Sequence, residues 1–147
     1  MLKEMYEQPK AITDTFSPRI KGNEIVIEEL NMSDEDIRAV KKLMIVACGS
    51  AYHAGVTGKY VFEGMARIPV EVDLASEFRY RDPILEEGTL VIVISQSGET
   101  ADSLAALRES QERGAKVLGI VNVVGSSIAR EADNVMYTLS LIHISEP

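Results

Sequence analysis

Two unbroken apolar runs, Leu43-Met44-Ile45-Val46-Ala47 and Leu90-Val91-Ile92-Val93-Ile94, constrain this chain more than any other feature of it. A strand built from such a run has no polar side to offer to water. It must be covered on both faces, which is the condition of a parallel sheet held between helices. Each run hands over to small residues and then to a helical pattern. Cys48-Gly49-Ser50-Ala51 precedes Val56, Tyr60, Val61 and Met65, whose three- to four-residue spacing predicts a helix from about Tyr52 to Arg67, with Gly55 and Gly58 as weak points. Ser95-Gln96-Ser97-Gly98-Glu99-Thr100 precedes a second helical pattern, Ala101 to Arg113, with Leu104 and Leu107 inward and Gly114 as its stop.

The same alternation continues on either side. Pro69-Val70-Glu71-Val72-Asp73-Leu74 alternates and begins with proline, so it reads as a second strand nearer an edge. A helical turn from Ser76 through Tyr80 and the loop Arg81-Asp82-Pro83 follow it. Lys116 to Asn122 is a fourth strand, Gly125-Ser126-Ser127 opens a short helical turn through Arg130, and Asn134 to Leu139 is a fifth strand. Strands and helices in this order give a three-layer α/β/α sandwich with a parallel, flavodoxin-like sheet. The first 20 residues read as a polar lead-in helix broken at Pro9 and ending near Ser17-Pro18. Glu24 to Ile27 is too short to assign. Ser33 and Asp36 are spaced as a capping box for a short helix with Ile37 and Val40 on one face.

In an open parallel sheet, ligands bind beyond the carboxyl ends of the strands. The loops 48–51, 95–100 and 122–127 all follow a strand and so share that edge. Gly49 becomes a neighbour of the 95–100 loop if the first and third strands are adjacent. The 95–100 loop is a ready anion site: free amides point out of the first helical turn, where the helix dipole favours negative charge. Three hydroxyls at Ser95, Ser97 and Thr100 add donors, and Gly98 lets backbone approach closely. One such hydroxyl would be an ordinary helix cap. Three of them with Gln96 and Gly98 in six residues point to a phosphorylated ligand.

Composition removes several other functions. The net charge of −8 comes from 23 acids against 15 bases, with no basic block and only 5% aromatics, so no nucleic-acid partner is expected. That charge repels a phosphate at long range, but salt screens it beyond about 8 Å, leaving local donors to attract the ligand. No apolar run approaches the roughly 20 residues needed to cross a bilayer. The start, Met1-Leu2-Lys3-Glu4-Met5-Tyr6, carries charge where a signal peptide has its apolar core. A single cysteine suits a reducing compartment, so the expectation is a cytoplasmic chain with no membrane contact.

Three segments together are similar to a known family. Ala47-Cys48-Gly49-Ser50-Ala51-Tyr52-His53-Ala54-Gly55, Glu77-Phe78-Arg79-Tyr80-Arg81 and Ser95-Gln96-Ser97-Gly98-Glu99-Thr100-Ala101-Asp102 resemble signatures of the glucosamine-6-phosphate synthases, the isomerising glutamine:fructose-6-phosphate aminotransferases. Lys3 to Pro9 resembles their linker between glutaminase and isomerase domains. The serine-rich loop alone is shared by sugar-isomerase (SIS) domains generally. The resemblance implies that Ser95, Gln96, Ser97, Gly98 and Thr100 hold the phosphate and hydroxyls of fructose 6-phosphate, and that Cys48, Gly49, Ser50 and Ala51 line the sugar end. Where the family commonly has a Thr-Ser pair, this chain has Ser50-Ala51, so any contact of the second hydroxyl is not carried to Ala51. The resemblance also implies a homodimer in the full-length enzyme. Its proton-shuttling glutamate, ring-opening histidine and imine-forming lysine belong to later segments, and its cysteine nucleophile to an earlier one. The expectation is therefore a sugar-phosphate-binding piece, inactive alone, with no catalytic residue, metal or cofactor of its own. Its divisions are a lead-in at 1–20, an SIS domain at 21–138, and an atypical tail of foreign, non-native character at 139–147, in which His143 carries no weight.

The remaining candidates have plainer explanations. Cys48 opens a helix, a position that favours a thiolate, yet cysteines beside a sheet mostly serve as small apolar residues, and a lining role is expected. His53 has no partnering acid and reads as a helix-surface residue. Glu71, Asp73 and Glu77 read as a polar face rather than an acid–base pair, and Arg79 and Arg81 as salt-bridge partners. Glu99 is expected to turn from the phosphate and complement the amino terminus of its own helix, the one that starts at Ala101. Two other readings stay open: a non-catalytic sugar-phosphate sensor, and another SIS isomerase or a fructosamine-6-phosphate deglycase.

Overall fold

The computed structural model of the chain describes residues 2–138. Its main sheet contains β3 (Lys42–Ala47), β4 (Val70–Leu74), β5 (Thr89–Ser95), β6 (Lys116–Val121) and β7 (Asn134–Tyr137), in the order β4-β3-β5-β6-β7, all parallel. That is the flavodoxin-like order, with β4 at an edge and β3 beside β5. The crossovers are α3 (Gly49–Met65), α4 (Ala75–Phe78), α5 (Ala101–Glu112) and α6 (Ser127–Glu131). Before the sheet come α1 (Leu2–Phe16), a 3-10 turn at Ser17–Arg19, a hairpin of β1 (Ile20–Lys21) and β2 (Glu24–Ile25), and α2 (Asp34–Arg38).

The two apolar runs behave as their composition requires. Met44, Val46, Val91 and Val93 point to one face, where they pack with Phe78, Ala106, Leu107 and Ile128 from α4, α5 and α6. Leu43, Ile45, Leu90 and Ile92 point to the other, with Val70 and Leu118. Full burial of each such aliphatic side chain contributes about 1.5–3 kcal/mol. α3 lies against this second face. Gly55 is the point of closest approach: a Cβ there would sit 2.8 Å from Ile45 Cγ2. The residue that weakens the helix is what lets it reach the sheet.

Several boundaries differ from the sequence reading. Pro9 does not break the first helix; it lies inside α1. Proline has no N–H to donate to the carbonyl of Met5 one turn earlier, and Met5 lies on an exposed part of the helix. Thr13 Oγ1 donates to the Pro9 carbonyl at 2.8 Å one turn later. α3 begins at Gly49, three residues before Tyr52, because Gly49 at φ +58° turns the chain directly out of β3. Ser33 and Asp36 form the expected capping box on α2. The lead-in is fastened by Arg19, whose guanidinium donates to the Thr15 carbonyl (2.9 Å), Glu29 Oε1 (2.5 Å) and the carbonyl of Tyr137 at the end of β7 (2.7 Å). The end of the fifth expected strand at Leu139 and the atypical tail at 139–147 lie outside the described residues.

Candidate functional site

The register between β3 and β5 places the site. Ala47 is level with Ile94, so the two adjacent strands end within one residue of each other. α3 starts at once and α5 after a five-residue loop, and both present their amino termini to the gap between them. That gap is a cleft of about 210 Å³. Cys48, Ser50 and Ala51 line one side of it, and Ser95, Gln96, Ser97 and Thr100 the other. Gly49 and Gly98 shape the two loops without lining the cleft. Ile94 and Ser103 are lining residues that the sequence reading did not include. Ser103 lies one helical turn after Thr100 and so faces the same way; that spacing was its only sequence signal.

Within the 95–100 loop the hydroxyls hold the loop rather than the helix. Ser95 Oγ accepts the Gly98 N–H at 3.1 Å and lies 3.2 Å from Thr100 Oγ1. Ser97 Oγ accepts the Glu99 N–H at 3.2 Å. Thr100 is the N-cap residue of α5, but its side chain makes no capping hydrogen bond. Its carbonyl takes the Leu104 N–H, so the amides of Ala101, Asp102 and Ser103 are the ones with no intrahelical acceptor. Gly98 sits at φ +68°, and a Cβ there would lie 2.1 Å from Ser126 Oγ. No other residue fits that position.

The third loop, 122–127, shares the same sheet edge but stands behind the cleft as a brace. The Asn122 N–H donates to the Gln96 carbonyl (3.2 Å), and the Ile128 N–H to the Gly98 carbonyl (3.0 Å). Glu99 turns away from the cleft, as expected, and serves α6 rather than its own helix. Its carboxylate accepts the Ser127 N–H and the Ser127 hydroxyl, each at 2.7 Å. These two donors, the hydroxyl foremost, hold Glu99 below the usual carboxylate range. No carboxylate lines the cleft, and Asp102, in the first turn of α5, stands 4.0 Å from Arg79. The electrostatic balance at the rim is two helix dipoles and a set of neutral hydroxyls, suited to an anion.

The other candidates fall outside this arrangement or at its margin. Cys48 is the N-cap of α3 and meets the Ser103 hydroxyl at 4.0 Å across the cleft. His53 is exposed beside Tyr52. Asp73 pairs with Arg81 (2.5 Å) and Glu71 with Lys42 (2.9 Å), which accounts for these acids as an ion-paired edge of β4. Among the described residues no group of His, Cys, Asp and Glu side chains could hold a metal ion, and no helix is long and apolar enough to cross a membrane.

Comparison with known proteins bears on the same region. The SIS domain family model matches residues 36–146. The chain is 63% identical over 139 residues to a glutamine–fructose-6-phosphate aminotransferase (isomerizing) of Clostridium acetobutylicum, covering 94% of this chain and 23% of that protein. Among solved structures, the C-terminal domain of glucosamine-fructose-6-phosphate aminotransferase from Francisella tularensis superposes with a TM-score of 0.89 at 42% identity, over 95% of this chain and 39% of that one. Glucosamine-6-phosphate deaminase from Thermotoga maritima follows with a TM-score of 0.72 at 25% identity, over 93% of this chain and 39% of that one. The chain thus spans about a quarter of the length of the curated relatives it matches.

Proposed function

The chain belongs to the SIS domain family, and from that premise we propose that it is the phosphosugar-holding part of an isomerising glutamine–fructose-6-phosphate aminotransferase. In this reading the phosphate of fructose 6-phosphate rests on the free amides of Ala101, Asp102 and Ser103 and on the hydroxyls of Ser95, Ser97 and Thr100. Gln96 completes that grip, Cys48, Ser50 and Ala51 face the sugar, and Gly49 and Gly98 shape the two loops that carry these residues. The carrying observation is the pair of helix amino termini beside one cleft, with the N-cap residue of α5, Thr100, making no side-chain cap. The parent enzyme makes glucosamine 6-phosphate from fructose 6-phosphate and glutamine.

The cleft supplies binding without proton transfer. Moving a proton between C1 and C2 of a sugar needs a base within hydrogen-bond reach, and Cys48 is the single ionisable side chain in the lining. The 147-residue chain therefore holds the sugar phosphate and does not convert it. The division into a lead-in at 1–20, a phosphosugar domain at 21–138 and an atypical tail at 139–147 belongs to this reading. So do a cytoplasmic setting and a homodimer of the longer enzyme. The apolar residues that α3 leaves exposed, Tyr60, Val61 and Met65, support a subunit contact.

Calorimetric titration of the purified chain with fructose 6-phosphate tests the proposal. Saturable heat that inorganic phosphate competes away is expected, with no glucosamine 6-phosphate formed when ammonia is added. No heat with any hexose monophosphate would overturn the binding role, and turnover would overturn the inactive one.

A further inference from the structure

Glu99 lies in the middle of the phosphate-holding loop, yet its charge is of the sign that a phosphate repels. Its geometry accounts for its presence there. The loop is joined to the 122–128 segment at three points, two of them through backbone alone: Asn122 N–H to the Gln96 carbonyl and Ile128 N–H to the Gly98 carbonyl. The third is the Glu99 carboxylate, which closes on both donors of Ser127. Arg130 Nη2 donates to the same Ser127 hydroxyl at 3.1 Å and reaches the Gly125 carbonyl, so a cation stands behind the carboxylate. Gly98 and Thr100, on either side of Glu99, are the residues through which Ser95 sets the shape of the loop.

We propose that Glu99 is a positioning residue. It clamps the 95–100 loop to the start of α6 and thereby fixes the hydroxyls and free amides that meet the phosphate, which it does not itself touch. This rests on the reading of the loop as the phosphate site. The clamp requires two oxygen or nitrogen atoms at the reach of a glutamate side chain, and it does not require the charge. Glutamine meets that condition: its carbonyl accepts the Ser127 N–H while its amide donates to the Ser127 hydroxyl.

Two substitutions in the full 147-residue chain separate clamp from charge. Glu99→Gln keeps the clamp and removes the charge; Glu99→Ala removes both. The clamp predicts that Glu99→Ala raises the Kd for fructose 6-phosphate about three- to tenfold, the effect of roughly one lost hydrogen bond. Glu99→Gln stays within about twofold of the starting affinity or binds more tightly. If both variants bind more tightly, or both weaken equally, Glu99 acts through its charge and the proposal fails. Amide exchange of Gly98 and Thr100, measured without ligand, gives a second reading. It accelerates in Glu99→Ala and not in Glu99→Gln if the clamp exists, and an unchanged rate in Glu99→Ala refutes the clamp. A parent chain that binds no hexose phosphate would sink the proposed function, and the exchange rates would still decide whether Glu99 holds the loop.

Discussion

α2 and α5 both begin behind a hydroxyl residue, and the two hydroxyls do opposite things. At α2, Ser33 Oγ accepts the Asp36 N–H at 3.1 Å while Asp36 accepts from Ser33 at 3.0 Å, closing the box on itself. At α5, Thr100 turns its hydroxyl to Ser95 and leaves the first-turn amides open. A helix start that satisfies its own amides contributes to stability and has nothing left to offer a ligand. One that spends its hydroxyls on loop shape gives up that stabilisation and keeps its amides for an incoming anion. The two starts also lie at opposite ends of the sheet: α2 leads into the amino end of β3, while α5 follows the carboxyl end of β5.

The contrast breaks most completely at Gly98. Gly98→Ala must place a methyl group against Ser126 at positive φ, so the loop shifts as a whole and calorimetry is expected to show no sugar-phosphate binding. Ser95→Ala is the next largest change. It removes the acceptor for the Gly98 N–H and the partner of Thr100, and the expected loss is about tenfold in Kd, near 1.4 kcal/mol. Ser33→Ala sharpens the contrast from the other side. Losing the cap costs about 1 kcal/mol in a urea melt while sugar-phosphate affinity stays unchanged.

The smallest effect is a pH dependence at the satisfied end. Lys116, and after it Ser33, hold Asp36 down to about 2 from an ordinary 3.8. With the folded value depressed, this contribution is complete above the ordinary value and is lost as pH falls through about 2. The melting temperature of Asp36→Asn should therefore lie below that of the parent at pH 5, with the gap narrowing towards pH 2.

The sequence shows these two starts unequally well. Ser33 and Asp36 are three residues apart and carry their box in their spacing. The central strands and the α5 helix are equally plain, because apolar runs and a three- to four-residue period mark burial there, whereas the same period in α3 falls on Tyr60, Val61 and Met65, which stand exposed. The cleft was legible in outline, since Cys48 to Ala51 and Ser95 to Thr100 each end a strand. Its bracing was not: two of the three ties behind the loop run through backbone atoms of Gln96, Gly98, Asn122 and Ile128, which no side chain advertises. Ser103 was missed because a serine one turn inside a helix looks like any solvent-facing residue. Arg19 was missed because its partner Tyr137 lies 118 residues away. Pro9 misled because a proline inside a helix removes one hydrogen bond without always ending the helix, and α1 runs through it.

The level register of β3 and β5 has a consequence for descent with change. Both loops of the cleft are set by one pair of neighbouring strands, and each helix carries the chain away from them towards the opposite edge. Insertions at that far edge leave the cleft where it is. A lineage built on this scaffold can therefore vary what surrounds the cleft while inheriting the cleft itself unaltered.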